Sequence, residues 1–276
     1  MTDTKDAPPR SFTMSLDLDA TPDEVWRALT DASELVRWFP LQARVTPGAG
    51  GSMFWSWDDK WAWESTIEVW EPGKRLTLVE NRPPFDASGA PLPGPPQRVA
   101  MEFTLETHQG RTRLRLVHAG FGQGASWDDE LDGISGGWQS ELRGLRLYLE
   151  RHKGRERHHA AINRVTKLSI ETAWKRLLSP SALMIVDGTL AEGARCVVHA
   201  ATGDRLAGTI AWQRAGRDLL MIVDNLDAGI FRVSTWRAEG HTGAQVWITT
   251  YADEHRARVH DLGARLQPIV ERALDA

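Results

Sequence analysis

The chain carries the same signals twice, in the same order, and this repeat limits its fold more than any other feature. Thr21-Pro22-Asp23-Glu24-Val25-Trp26-Arg27-Ala28-Leu29 is answered by Ser169-Ile170-Glu171-Thr172-Ala173-Trp174-Lys175-Arg176-Leu177. Gly50-Gly51 is answered by Gly193-Ala194. The run from Thr66-Ile67 through Gly73-Lys74 to Leu76 is answered by Thr209-Ile210 through Gly216-Arg217 to Leu219. An apolar helix around Trp138 is matched by one carrying Val259, Leu262, Leu266, Ile269 and Val270. The reading is two copies of one fold joined near Arg151–Arg157. A disordered tail is expected over 1–10, a first domain over 11–153 and a degenerate second domain over 157–276.

The first copy shows what the fold is. Phe12, Met14, Leu16 and Leu18 alternate with polar residues, the pattern of a half-buried strand. Thr21 with Glu24 forms a capping box, and Pro22 suits the first helical position, so a helix starts there. A short helix over Ser33 to Trp38 ends before Pro40. About six antiparallel strands follow. Their inward faces carry Met53, Trp55 and Trp57; Trp61, Trp63, Ser65, Ile67 and Val69; Leu76, Leu78, Glu80 and Arg82; Val99, Met101, Phe103 and Leu105; and Leu114, Leu116 and His118. A loop is expected over His118-Ala119-Gly120-Phe121-Gly122.

The strands lead to a long helix. Leu131, Ile134, Trp138, Leu142, Leu145 and Leu149 fall at spacings of three and four, which makes one apolar face. Asp128, Asp129 and Glu130 suit the positive end of its dipole. Gly133, Gly136 and Gly137 each cost about 1 kcal/mol relative to alanine within a helix; either close packing or a late helix start accounts for them. A helix with one apolar face must bury it, and a curved sheet is the available partner. Pro83 to Pro96 holds six prolines and cannot be a central strand. It is either a solvated hairpin loop or a lid.

These residues resemble a known family. The Thr21–Thr30 helix start, Trp38-Phe39-Pro40, Gly50-Gly51, Trp70-Glu71-Pro72-Gly73-Lys74-Arg75-Leu76, His118-Ala119-Gly120-Phe121 and Gly137-Trp138 are similar to the START/SRPBCC superfamily, and within it to Aha-type activators of a heat-shock ATPase. The resemblance covers 11–152 directly and 158–274 through the repeat. It implies an α+β class, with tandem helix-grip domains in which a curved antiparallel sheet wraps a long C-terminal helix. The second domain is reduced: it has no Trp-Phe-Pro segment, no proline insert and no Gly-Phe-Gly loop. The resemblance further implies a hydrophobic cavity, apolar ligands such as lipids or polyketides, or a chaperone-type protein partner and a place in the stress response.

Two groups of residues are candidates for a site. Thirteen tryptophans against two tyrosines is a strong bias, and large rings either fill a core or line a pocket. Trp55, Trp57, Trp61 and Trp63 share inward faces, and the family likeness adds Trp38 and Trp138. Met101 and Phe103 extend the same interior. Glu80, Arg82 and His118 are the second group. Either they sit at strand ends near water, or they anchor a ligand with Arg82 paired to Glu80 and His118 as donor, since isolated charges in an apolar interior are costly. Acid–base work by His118 with Glu80 is a third reading, as in a cyclase.

The remaining signals exclude more than they suggest. A formal net charge of -4 gives no electrostatic case for nucleic acid. The single cysteine, Cys196, cannot form an intrachain disulfide, and no apolar run opens the chain, so a cytoplasmic protein is expected. His158-His159 has no metal-ligand spacing and reads as a solvated strand start. Gly120-Phe121-Gly122-Gln123-Gly124 lacks the lysine of a phosphate loop. No cofactor is expected. The leading expectation is non-catalytic binding of a hydrophobic small molecule by the first domain, with a co-chaperone or interaction module next. The halves are expected to pack as an intramolecular pseudo-dimer.

Overall fold

The computed structural model describes residues 9–57, 62–83, 90, 92–187, 189–238 and 240–275. The expected tail over 1–10 lies largely outside them, as does half of the proline segment, 84–89 and 91; Pro83, Pro93, Pro95 and Pro96 are exposed. The chain divides into two compact units, Met1–Gly154 and Arg155–Ala276.

In the first unit the order is β1 (Arg10–Leu18), α1 (Pro22–Thr30), α2 (Ala32–Leu35), β2 (Gln42–Thr46), β3 (Ser52–Ser56), β4 (Ala62–Glu71), β5 (Arg75–Arg82), β6 (Gln97–His108), β7 (Arg111–Phe121) and α3 (Ala125–Leu147), with a π-helical turn at Tyr148–His152. The second unit runs β8 (His158–Thr166), α4 (Ile170–Leu177), β9 (Leu183–Asp187), β10 (Arg195–Ala200), β11 (Arg205–Arg214), β12 (Asp218–Val223), β13 (Gly229–Ala238), β14 (His241–Thr250) and α5 (Asp253–Leu274). Each unit has one seven-stranded antiparallel sheet, ordered β1-β7-β6-β5-β4-β3-β2 and β8-β14-β13-β12-β11-β10-β9. Two tandem helix-grip domains are therefore the architecture.

The repeat is written into the backbone as well as the side chains. Gly50 and Gly193 both take left-handed φ values, 84° and 79°, and each donates its N–H at 2.8 Å, to the carbonyls of Ile67 and Ile210 respectively. Those isoleucines return the bond at 2.9 Å to Gly51 and Ala194. Just beyond, β4 and β11 both slip register, between Ile67 and Val69 and between Ile210 and Trp212. A bulge adds local twist and bends the strand, so both sheets curl at the same place. The turns at Gly73 and Gly216 also agree, with φ of 69° and 72°.

Local signals account for the helices. Thr21 accepts from the Glu24 N–H and Glu24 accepts from the Thr21 N–H at 2.9 Å, the reciprocal capping box expected from the sequence. Ser169 accepts from the Thr172 N–H at the same point of the second unit. The long helix starts at Ala125, so a late start does not explain its glycines; Gly136 is buried, in keeping with close packing. The loop expected over 118–122 is strand as far as Phe121. Gly120 allows this, because its φ is 101° and a Cβ would stand 2.1 Å from the Arg98 carbonyl oxygen. The edge strand β2 was not foreseen.

The two interiors differ. In the second unit one continuous core joins α4, α5 and the sheet through residues such as Trp174, Ile210, Phe231, Val246, Leu262 and Leu266. Helix α5 lies close on β8, where a Cβ at Gly263 would stand 2.3 Å from that of Ala160. In the first unit, α3 makes its close backbone approach to β1. Gly137 lies seven residues beyond Glu130 on one stripe of α3, and a side chain there would meet nothing within 4 Å.

Candidate functional site

The antiparallel register brings the candidate residues of the first unit onto one face of the sheet. Met101 stands opposite both Leu78 and His118, and Phe103 opposite Leu76 and Leu116. Trp55 stands opposite Trp63. Thr66 pairs with Val79, so Ser65 and Glu80 are cross-strand neighbours.

The aromatic part is organised by Phe39, which the sequence marks as part of the Trp38-Phe39-Pro40 motif but not as a site residue. Its ring centroid lies 5.0 Å from Trp38, 5.0 Å from Trp55, 4.9 Å from Trp57 and 5.1 Å from Trp138. Trp57 meets Trp63 edge-on at 5.3 Å, and Trp138 meets Phe103 at 5.6 Å. Trp38, Trp55, Met101, Phe103 and Trp138 are buried, while Trp57 and Trp63 are half-buried. Trp61 lies outside the described residues. The Trp38 indole donates to the Ala28 carbonyl at 2.8 Å; that of Trp55 is buried with no partner.

The polar part is a chain of contacts from sheet to helix. Ser65 donates to Glu80 at 2.9 Å, and Arg82 donates to Glu80 at 2.7 Å and pairs with Glu130 of α3. The Glu80, Arg82 and Glu130 side chains are only 12%, 20% and 17% exposed. Two carboxylates share one guanidinium, so the group carries a net charge of -1. Ser65 and Glu130 were missed. Glu130 reads as one of three acids at a helix start, yet it lies four and eight residues before Ile134 and Trp138, on the face turned to the sheet.

His118 stands apart from this chain. It is 2% exposed, and neither ring nitrogen has a hydrogen-bond partner. Phe12 and Phe121 flank it at 5.5 and 4.8 Å. Burial, reinforced by the Arg82 charge, holds its pKa down to about 3. It is therefore a neutral imidazole at ordinary pH, one nitrogen a donor and the other an acceptor. No hydrogen bond joins it to Glu80.

The second unit lacks this chemistry. Counting from the shared bulge and turn, Gly208 replaces Ser65, Val223 replaces Glu80 and Leu206 replaces Trp63. Val198 faces Leu206 as Trp55 faces Trp63. Phe231 pairs with Met221 and Ile248 as Met101 pairs with Leu78 and His118. His158 corrects an expectation. It is buried and bonds Asp253 at 2.8 Å, while His159 stacks on Trp247 at 5.2 Å. Among the described residues no three His, Cys, Asp or Glu side chains gather as metal ligands. Cys196 is buried. No helix among the described residues is long and apolar enough to cross a membrane.

Fold and interior together define a tandem helix-grip protein whose first unit carries the Ser65–Glu80–Arg82–Glu130 chain and the unpartnered His118. Residues 19–150 match the family model described as Activator of Hsp90 ATPase homolog 1-like protein. The likeness is to this unit, a little under half of the chain. No curated protein matches the chain. Among solved structures, protein MLL2253 from Mesorhizobium loti is 23% identical over 52% of this chain and 99% of its own, with a TM-score of 0.44. The Aha1 dimer from Colwellia psychrerythraea is 18% identical over 52% and 99%, with a TM-score of 0.42. The di-domain ARO/CYC BexL from the BE-7585A biosynthetic pathway is 15% identical over 97% and 99%, with a TM-score of 0.42.

Proposed function

We propose that the first unit binds an apolar small molecule, lipid- or polyketide-like, between its sheet and α3, without catalysis. The carrying observation is the comparison within the chain. The second unit keeps the bulge, the turns and the sheet order while holding Gly208, Val223 and Ile248 where the first holds Ser65, Glu80 and His118. The fold therefore does not need those polar groups, and buried ionisable groups are costly to keep. Trp38, Trp55, Trp57, Trp63, Met101, Phe103 and Trp138 serve as the apolar wall; Glu80, Arg82 and His118 serve as polar contacts.

The test is titration of the purified protein with N-phenyl-1-naphthylamine, an uncharged fluorescent probe. Micromolar binding with quenching of indole emission is expected. Trp63→Ala should weaken it and Trp212→Ala should not. No binding, or equal loss in both variants, overturns the reading.

The family description favours a second reading, a co-chaperone module. Stimulation of a purified heat-shock ATPase by the full chain, unchanged by Trp63→Ala, would support it. In either reading the second unit is proposed as the partner half of an intramolecular pseudo-dimer. Residues 1–155 alone should then self-associate or precipitate; a monodisperse monomer as stable as the full chain overturns that role.

A further inference from the structure

We infer that the ligand of the first unit is an uncharged aromatic alcohol, one that donates a hydrogen bond to His118 and is selected against carboxylate and phosphate analogues by Glu80 and Glu130. This deepens the binding reading and rests on it. Three observations carry it.

The first is the state of His118. Both nitrogens are buried and unpartnered. Leaving such a group unsatisfied is expensive, and a buried polar side chain in a native interior ordinarily has a partner. Its flanking rings, Phe12 and Phe121, offer no acceptor or donor of their own. The neutral ring holds a lone pair that a hydroxyl can reach as donor.

The second is charge. An anionic ligand needs a cation with a free bonding face. Arg82 is held between Glu80 and Glu130. Arg10, near the start of α3, is engaged by Asp128 and by the Gly122 carbonyl. A carboxylate entering beside Arg82 would make a third negative charge around one guanidinium in a region largely removed from water, where like charges repel strongly.

The third is room. The open position at Gly137 lies on the stripe of α3 that carries Glu130, facing the same side. From β5 to β7 is two strand spacings, about 10 Å. A ligand reaching from the Glu80–Arg82 row to His118 is thus about two fused rings long, and the neighbouring Trp and Phe rings suit a flat aromatic body.

The experiment compares three ligands that share one ring system: 2-naphthol, 2-methoxynaphthalene and 2-naphthoate, titrated into the full chain at neutral pH by indole quenching and calorimetry. 2-Naphthol should bind about tenfold more tightly than 2-methoxynaphthalene, which cannot donate, and at least tenfold more tightly than 2-naphthoate. His118→Ile, the residue the second unit carries at the same place, should erase the naphthol-over-methoxy preference. Glu80→Gln with Glu130→Gln should bring naphthoate to within about threefold of naphthol. Equal binding of all three, or naphthoate as the tightest, overturns the inference and leaves the binding reading standing. Loss of the naphthol preference in the carboxamide variant but not in His118→Ile also overturns it, by moving the donor contact to a carboxylate. Binding of none of the three overturns the binding reading and the inference together.

Discussion

His118 and Ile248 occupy the same place in the two units. Each faces, across the register, the residue that lines the middle of its sheet, Met101 in one case and Phe231 in the other. One is an imidazole without a hydrogen-bond partner and the other an aliphatic chain in a continuous core. The chain thus supplies its own control for what the position costs.

His118→Ile should accordingly stabilise the protein by about 1 kcal/mol at pH 7, since an unsatisfied buried polar group costs about 1–3 kcal/mol. It should also flatten the pH dependence. The His118 pKa is depressed to about 3. Between the ordinary histidine value of 6.5 and that point, the unfolded chain binds a proton that the native chain does not, so native stability falls as pH falls through this window. Urea unfolding at pH 7 and pH 4.5 checks both parts. A variant less stable at both values would mean that the imidazole has a partner.

Arg82→Met should be strongly destabilising. It leaves Glu80 and Glu130 facing each other without a cation, and removing one member of a buried ion pair costs about 3–5 kcal/mol. The side chains retain some exposure, which argues for about 3 kcal/mol. Adding Glu80→Gln and Glu130→Gln should recover most of the loss. Thermal unfolding of the single and triple variants decides this; a triple variant no better than the single would show that the guanidinium acts through packing.

Thr21→Ala should cost about 1 kcal/mol, the ordinary worth of a helix N-cap. Glu24, held down to about 2 by Lys153 and then by the Thr21 N–H, contributes stability that is present above its ordinary 4.5 and lost as pH falls toward 2. The penalty for Glu24→Gln should therefore shrink on going from pH 6 to pH 2.5. A penalty independent of pH would exclude the charge as its source.

Gly120→Ala should be among the most damaging single changes, about 3 kcal/mol or more. The residue would be forced into a left-handed conformation, which alone costs about 1–2 kcal/mol, while its Cβ meets the Arg98 carbonyl. Gly137→Leu is the contrast. It should raise stability through helix propensity, which penalises glycine by about 1 kcal/mol, and fill the open position beside Glu130. Stable protein that no longer binds the naphthylamine probe is the expected result; unimpaired binding would place the ligand elsewhere.

Alternation and capping residues made most of this fold legible. The capping box at Thr21, the faces of β4 to β7 and the repeated glycine turns depend on local chemistry that neighbours in sequence reveal. What stayed hidden depends on partners far along the chain. Gly120 resembled loop because its strand geometry is dictated by Arg98 across the sheet. Glu130 resembled a dipole-matching acid because only the docked helix shows that its stripe meets Arg82. Phe39 gave no periodic signal, yet four indoles converge on it. The bond of His158 to Asp253 joins residues 95 apart in sequence, and no spacing rule could join them.

The paired exchange between Gly50-Gly51 and Ile67, repeated by Gly193-Ala194 and Ile210, has a consequence for how such an interior can change. Both sheets curl through main-chain bonds and a slipped register, which most side chains on the inner face do not enter. Shape and lining are therefore inherited separately. Differences such as Glu80 against Val223 or His118 against Ile248 can accumulate while both copies preserve the outline. A duplicated chain of this kind can thus hold two different linings inside one outline.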